Sequence, residues 1–93
     1  MIKSFRCKET SRIFKGNHSK KFPTDIQRAA LRKLTMIHGA AGMGFLRTPP
    51  TNRLEKLSGD REGKYSIRIN DQWRICFIWK EGDAYEVEIT DYH

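Results

Sequence analysis

Residues 65–93 read YSIRINDQWRICFIWKEGDAYEVEITDYH, and this stretch decides the predicted fold. Three segments within it alternate apolar and polar residues, a pattern typical of strands that bury one face. Only two or three turn-forming residues separate the segments, and turns this short join antiparallel neighbours. The stretch therefore predicts an antiparallel sheet. Its apolar face is predicted to carry Tyr65, Ile67, Ile69, Trp73, Ile75, Phe77, Trp79, Tyr85, Val87 and Ile89.

The N-terminal half predicts one short strand and two helices. Residues 1–7 (MIKSFRC) alternate as a short strand, and residues 8–16 (KETSRIFKG) fit a short helix stopped by glycine. Residues 23–39 (PTDIQRAALRKLTMIHG) predict a longer helix, capped by Thr24 and ended by Gly39. The apolar face of this helix is predicted to be Ile26, Ala29, Ala30, Leu34 and Ile37.

The remaining segment connects these helices to the sheet. Residues 40–52 contain two glycines and two prolines and are predicted to form a loop, and residues 53–65 include a further short strand. The order is strand, two helices, then three to four strands, which predicts an α+β fold with the helices on one face of an antiparallel sheet. We expect residues 1–93 to form a single domain, because the chain has no room for a second core.

Charge is distributed unevenly along the chain, whose net charge is +7. Residues 1–40 hold ten Lys or Arg against two acidic residues, whereas residues 41–93 hold eight against nine. A basic surface attracts polyanions, so a nucleic-acid or ribonucleoprotein partner is expected, with an acidic protein as a compatible partner. The alternative is a solvated face that only keeps the protein soluble.

Several classes of protein are not indicated by the sequence. No run approaches the roughly 18 apolar residues of a membrane span, and no signal peptide is visible, so a cytoplasmic location is expected. Cys7 and Cys76 are expected to be buried thiols, although a disulfide between strands stays open. No zinc spacing, phosphate-binding glycine loop or GxSxG motif occurs, so neither a metal nor a cofactor is expected.

Cations on the other face of the sheet are candidates for binding phosphate. Arg74 alternates with the aromatic residues of its strand, Arg68 alternates likewise on the neighbouring strand, and Arg61 and Lys64 lie just before it. Arginine binds phosphate through two parallel hydrogen bonds. The alternative is that these arginines form cross-strand charge pairs with Glu86 and Glu88.

The chain ends in three residues that move protons, Asp91, Tyr92 and His93. RNA cleavage by internal attack needs a base for the 2′-hydroxyl, a cation for the phosphate and an acid for the 5′-oxygen. These residue types together with Arg74 supply all three. The alternative is an ordinary tail, because chain ends are commonly frayed.

The motifs L.GDR.G.YSIRIN.QWRI.F, GDAY and the terminal DYH resemble the HigB branch of the RelE/ParE toxin superfamily, and the resemblance spans essentially the whole chain. It implies a RelE-like fold and the toxin of a bacterial toxin–antitoxin pair. Many such toxins cut messenger RNA on the ribosome through 2′-hydroxyl attack, leaving a 2′,3′-cyclic phosphate. The resemblance also implies a HigA-like helix-turn-helix antitoxin, with the toxin monomeric when alone and hetero-oligomeric with its antitoxin.

The resemblance assigns site residues, with two departures from the family pattern. Glu55 stands where the family has a catalytic His, and Ser58 stands where it has a Lys, with Lys56 close by. This pattern is similar to the GraT-like subgroup of mild toxins associated with disturbed ribosome maturation. The catalytic residues implied are Asp91, Tyr92, His93, Arg74 and Glu55. The residues expected to bind RNA are Arg61, Lys64, Arg68, Lys56, Lys20 and Lys21.

Three functions stay open on the sequence alone. The first is the ribosome-dependent endoribonuclease, in which Tyr92 or His93 is the acid and Asp91, Glu55 or His93 is the base or orients it. The second is a toxin that binds ribosomes or their assembly intermediates with little or no cleavage. The third is a gyrase poison of the ParE kind, which shares the fold but not the DYH terminus.

Overall fold

Two helices precede a four-stranded sheet in the computed structural model of the protein, which describes residues 1–57 and 63–91. The helices are α1 (Lys8–Phe14) and α2 (Thr24–Gly39), followed by short 3-10 helices at Met43–Arg47 and Pro50–Asn52. The strands are β1 (Glu55–Lys56), β2 (Lys64–Arg68), β3 (Trp73–Lys80) and β4 (Asp83–Asp91). Consecutive strands pair antiparallel in the order β1-β2-β3-β4, which confirms the predicted α+β class and sheet.

The helices cover one face of the sheet. Ile26, Ala30, Leu34 and Ile37 of α2 are buried, as their helical spacing predicts, whereas Ala29 is only half-buried. They pack with Ile67, Ile75 and Phe77 of the sheet in one apolar core. Burial of each large side chain such as Leu34 or Phe77 contributes about 1.5–3 kcal/mol. No helix in residues 1–57 and 63–91 is long and apolar enough to cross a membrane.

The start of α2 and the segment after it differ from the prediction. Thr24 is the first helical residue rather than the cap; Pro23 holds the cap position, and no side chain there bonds the helix end. The predicted loop at residues 40–52 contains both 3-10 helices. The reason is that Leu46 and Asn52 are fully buried, which folds the segment back onto the protein.

A bulge in β4 corrects the predicted facing of Tyr85. Cys76 pairs with Glu88 and Ile78 with Tyr85, so β4 holds one more residue than β3 between these two pairs. Glu86 lies between these two pairs and has a left-handed φ of 50°. Because side chains alternate with period two, the extra residue moves Tyr85 to the face of Ile78 and leaves Ala84 in the core.

The predicted N-terminal strand is reduced to two bridges beside this bulge. Residues 1–7 form two isolated parallel bridges to β4, Ile2 with Ala84 and Phe5 with Val87, instead of a continuous strand. Between the bridges, the hydroxyl of Ser4 accepts the backbone N–H of Glu86 at 2.9 Å. A side chain thus satisfies the backbone group that the bulge removes from the regular ladder.

Candidate active site

Arg74 lies on the face of the sheet that points away from the helices. It pairs with Arg68 across β2 and with Thr90 across β4, so these three residues share one face. This confirms the predicted placement of Arg74 and Arg68. Arg74 is nevertheless buried on this face, because only 7% of the residue is exposed.

Among the residues that the structure describes, three neighbours hold the guanidinium of Arg74. Its Nε donates to the hydroxyl of Ser66 at 2.8 Å, and its Nη2 donates to the carbonyl of Arg53 at 2.6 Å. The same Nη2 lies 3.9 Å from Oε2 of Glu55. A buried charge is tolerated only when polar partners replace water, and these contacts supply them. The guanidinium is therefore fixed in position and directed toward β1.

A buried asparagine supports the carbonyl that Arg74 contacts. Arg53 ends the second 3-10 helix in a left-handed conformation with φ 44°. Immediately before it, the amide of Asn52 donates to the carbonyls of Leu46 and Thr48 at 3.2 and 3.3 Å. The ammonium of Lys33 donates to Oδ1 of Asn52. Polar contacts from helix α2 thus reach Asn52, and the carbonyl of the next residue in the chain, Arg53, accepts from the Arg74 guanidinium.

Lys33 is itself perturbed by this position. Partial burial, and then repulsion from Arg32 and Arg68, lowers the pKa of Lys33 below its ordinary value of 10.5. The nearby Arg68 shows that α2 and the end of β2 bring several cations together. Arg68 pairs with the carboxylate of Asp71 in the following turn.

Glu55 and Lys56 point to different sides of the sheet. Glu55 pairs with Ser66, which places its half-exposed carboxylate on the face of Arg74. Lys56 pairs with Tyr65 and is directed to the other face. The structure therefore brings Glu55 to Arg74, whereas Lys56 is exposed on the reverse side of β1.

The other charged residues of the strands occupy different positions. Lys64 pairs with Ile78 across the strands and so shares the Arg74 face, where it is half-buried. Glu88 pairs with Arg6 at 3.6 Å. Within residues 1–57 and 63–91, Arg68 pairs with Asp71 and Arg74 with Glu55, and the alternative of cross-strand pairs with Glu86 and Glu88 is not seen there.

Asp91 ends β4 in register with Trp73, one position away from the Thr90–Arg74 pair. Regular alternation therefore directs Asp91 to the side of Trp73 rather than to that of Arg74. The amide of Gln72 donates to Oδ2 of Asp91 at 3.3 Å. The other predicted C-terminal residues, Tyr92 and His93, lie outside the described residues, as do Arg61 and Ser58.

Lys20 and Lys21 lie apart from Arg74, in the exposed segment between α1 and α2. Their neighbour Phe22 packs edge-on against Trp73, with ring centroids 5.6 Å apart. Because Trp73 is in register with Asp91, these lysines are near the Asp91 end of the sheet. Within residues 1–57 and 63–91, His, Cys, Asp and Glu form no group of three or more able to hold a metal. Cys76 is buried, Cys7 is half-buried, and both are free thiols.

Sequence reasoning missed the residues that hold Arg74. The alternation of Tyr65, Ser66 and Ile67 is sufficient to place Ser66 on the Arg74 face, so that neighbour was predictable. The role of Asn52 and of the Arg53 carbonyl depends on how residues 46–53 fold back, for which the sequence carries no periodic signal.

Comparisons with known proteins identify relatives of the chain. Residues 3–93 match the HigB-like toxin family, described as RelE-like toxin of type II toxin-antitoxin system HigB. Toxin HigB-1 of Vibrio cholerae is 44% identical over 62 residues, which cover 67% of this chain. The same residues cover 65% of that protein, just under two thirds of its length. Endoribonuclease HigB of Proteus vulgaris is 38% identical over 94 residues that cover both chains in full.

Proposed function

We propose a function on the premise that the chain belongs to the HigB-like family of RelE-like toxins of type II toxin–antitoxin systems. The proposed activity is that of a ribosome-dependent messenger RNA endoribonuclease that inhibits translation in the bacterial cytoplasm. The full-length similarity to a protein named Endoribonuclease HigB supports the reaction class. A HigA-like antitoxin is the proposed neutralising partner, consistent with the family's type II toxin–antitoxin systems.

The single observation that carries this proposal is the fixed guanidinium of Arg74 beside the carboxylate of Glu55. In the proposed reaction, a base takes the proton of a ribose 2′-hydroxyl, and the 2′-oxygen attacks the adjacent phosphorus. The bond from phosphorus to the 5′-oxygen breaks, and an acid gives that oxygen a proton. The products are a 2′,3′-cyclic phosphate and a 5′-hydroxyl end.

Arg74 is proposed to stabilise the negative charge that builds on the phosphate during attack. Its contacts with Ser66 and Arg53 hold the guanidinium before substrate arrives, so little reorganisation is needed in the transition state. Removing one such preorganised donor typically costs about 100- to 1,000-fold in rate. Glu55, at 3.9 Å, is the more exposed partner, and a phosphate is proposed to approach from its side.

Glu55 is the proposed proton acceptor, because its carboxylate shares the face of Arg74 and is half-exposed. Tyr92 or His93 is the proposed proton donor; both directly follow Asp91 in the chain. Asp91, whose register is with Trp73, is proposed to orient these terminal residues rather than to take the 2′-hydroxyl proton. Arg68 and Lys64 are proposed to contact RNA on the Arg74 face, and Lys56 on the other face. Arg61 is a further proposed RNA contact.

A second function is favoured by the residue at position 55, which differs from the family pattern. Glu55 replaces the family's catalytic His, and a carboxylate beside the attacked phosphate repels it where an imidazolium attracts it. This favours a mild toxin that binds ribosomes or their assembly intermediates with little cleavage.

Inducible expression without the neighbouring antitoxin gene, followed by RNA end sequencing, separates the two functions. The endoribonuclease predicts message cuts in phase with codons. Intact messages with accumulated precursor ribosomal RNA would support the binding function instead. Unchanged messages together with normally matured ribosomal RNA would contradict both.

A further inference from the structure

A basic groove runs between α1 and the segment that leads to α2. Its lining includes four cations, Lys8, Arg12, Lys20 and Lys21, together with Glu9 and His18. Lys8 and Arg12 are four residues apart on α1 and therefore lie on the same side of that helix. With four cations against one carboxylate, the groove has a formal charge of +3 when His18 is neutral.

Buried polar contacts hold the wall of this groove. Ser19 is fully buried, and its hydroxyl donates to Oε1 of Glu9 at 2.7 Å. The side-chain amide of Gln27 accepts from the N–H of Ser19 at 3.0 Å and donates to its carbonyl at 2.7 Å. Arg12 donates to the carbonyl of His18 at 3.1 Å. The backbone that carries Lys20 and Lys21 is therefore anchored on both sides.

The ammonium of Lys21 is also directed by its neighbours. It lies 5.5 Å from the centroid of the Phe22 ring and 3.6 Å from Sγ of Cys7. Phe22 in turn packs edge-on against Trp73, the residue in register with Asp91. Through these neighbours, the groove leads to the end of the sheet from which the C-terminal residues continue.

We propose that this groove binds the phosphodiester backbone of RNA that runs toward the Asp91 end of the sheet. The inference rests on the proposed function for the choice of RNA as the polyanion. Docking sites for proteins usually centre on aromatic or aliphatic anchors, whereas every side chain that lines this groove is charged or polar. Several cations along an open groove instead match a repeated phosphate, whatever the base sequence.

The test measures binding of purified full-length toxin to a single-stranded RNA with 2′-O-methyl riboses, which lacks the attacking hydroxyl and is not cut. Fluorescence anisotropy over a salt series compares the wild type with Lys20→Gln/Lys21→Gln. The matched control is Lys3→Gln/Lys80→Gln, which removes two exposed lysines near the opposite end of β4. Circular dichroism confirms that each variant is folded.

We expect the groove variant to bind the RNA about tenfold more weakly at moderate salt, because two phosphates are no longer neutralised. Its plot of log affinity against log salt should become shallower by about 1.4, since each neutralised phosphate of a single strand contributes roughly 0.7 to the slope. The control should change clearly less on both measures. Equal changes in the two variants, or an unchanged slope in the groove variant, would overturn the proposal.

Two parallel measurements identify the ligand and separate this inference from the proposed function. A poly-glutamate peptide that binds the groove more tightly than the RNA at equal salt would overturn the assignment to RNA in favour of an acidic protein. Cleavage of unmodified message on ribosomes is measured with the same preparations. If the wild type does not cut message but the groove variant still binds RNA more weakly, the proposed function fails and the groove remains an RNA-binding site. If the wild type cuts normally and the groove variant binds RNA as the wild type does, the groove proposal fails and the proposed function stands.

Discussion

Two cationic regions of the molecule differ in how far their charges are buried. Arg74 is 7% exposed and is held by Ser66, the Arg53 carbonyl and Glu55. Lys20 and Lys21 in the basic groove are exposed; their backbone is anchored, and the Lys21 ammonium contacts the Phe22 ring and Sγ of Cys7. A buried charge depends on each of its partners, whereas an exposed one acts through a field that salt screens. Changes near Arg74 should therefore alter rate and stability, and changes in the groove should alter affinity and salt dependence.

The largest expected effect is that of Arg74→Gln. We expect message cleavage on ribosomes to fall at least about 100-fold, because the preorganised charge is removed. Glutamine also leaves acceptors around the site unpaired, at about 1–3 kcal/mol for each buried group. Single-turnover cleavage and urea unfolding measure the two effects.

Arg74→Lys serves as the control for that variant. Lysine keeps the charge but lacks the planar fork that reaches Ser66 and Arg53 together. It should recover part of the stability but little of the rate. Wild-type cleavage by Arg74→Lys would show that charge alone, without the fixed geometry, is sufficient.

Asn52→Ala should have the next largest effect. Asn52 is fully buried, and its removal leaves the carbonyls of Leu46 and Thr48 without this donor. The expected cost is about 2–3 kcal/mol in the free energy of unfolding. The cleavage rate of the folded fraction should also fall, because the Arg53 carbonyl loses its support.

The neighbouring Thr51→Ala is the matched control, since Thr51 is exposed in the same 3-10 helix. It should change the free energy of unfolding by less than about 0.5 kcal/mol. Similar losses of stability from both substitutions would contradict the role assigned to Asn52.

Glu55→Gln tests the proposed proton acceptor and should have an intermediate effect. We expect the rate of cleavage to fall about 100-fold, the lower end of the range for a general base, with RNA affinity retained or slightly increased because a charge that repels phosphate is removed. Glu81→Gln makes the same change of charge in the exposed turn between β3 and β4 and should leave the rate unaltered. A larger loss of affinity than of rate would assign Glu55 to binding.

The smallest expected effect is a pH dependence from Lys33. Because the pKa of folded Lys33 lies below its ordinary value of 10.5, the unfolded chain binds more protons between the two pKa values. Stability contributed by Lys33 therefore rises with pH in that alkaline window. The difference in unfolding free energy between the wild type and Lys33→Met should increase from neutral pH to 10.5. A difference that decreases would contradict this account.

The order of helices and strands could be predicted from the sequence because each helix and strand has its own local spacing of apolar residues. Ile26, Ala30, Leu34 and Ile37 show helical spacing, and every second residue of β3 from Trp73 to Trp79 is large and apolar. Tyr85 was misplaced because a bulge needs only one residue, Glu86, in a left-handed conformation. No pattern of apolar residues marks such a position.

The candidate site was predictable only where it depends on the alternation of side chains along a strand. Alternation assigned Arg74 and Arg68 to one face correctly, since facing is a local property of each strand. The burial of Arg74 was not predictable, because the Arg53 carbonyl reaches it from 21 residues away along the chain. Asp91 was expected with Arg74 from its residue type, whereas its register with Trp73 depends on strand pairing.

The central claim is that this toxin cuts RNA at the phosphate held by Arg74. The most direct test incubates purified toxin with ribosomes and a defined message, then determines the chemistry of the RNA ends. The account predicts 2′,3′-cyclic phosphate and 5′-hydroxyl ends from the wild type, and almost none from folded Arg74→Gln at the same concentration. An intact message with the wild type, or equal cutting by Arg74→Gln, would contradict it.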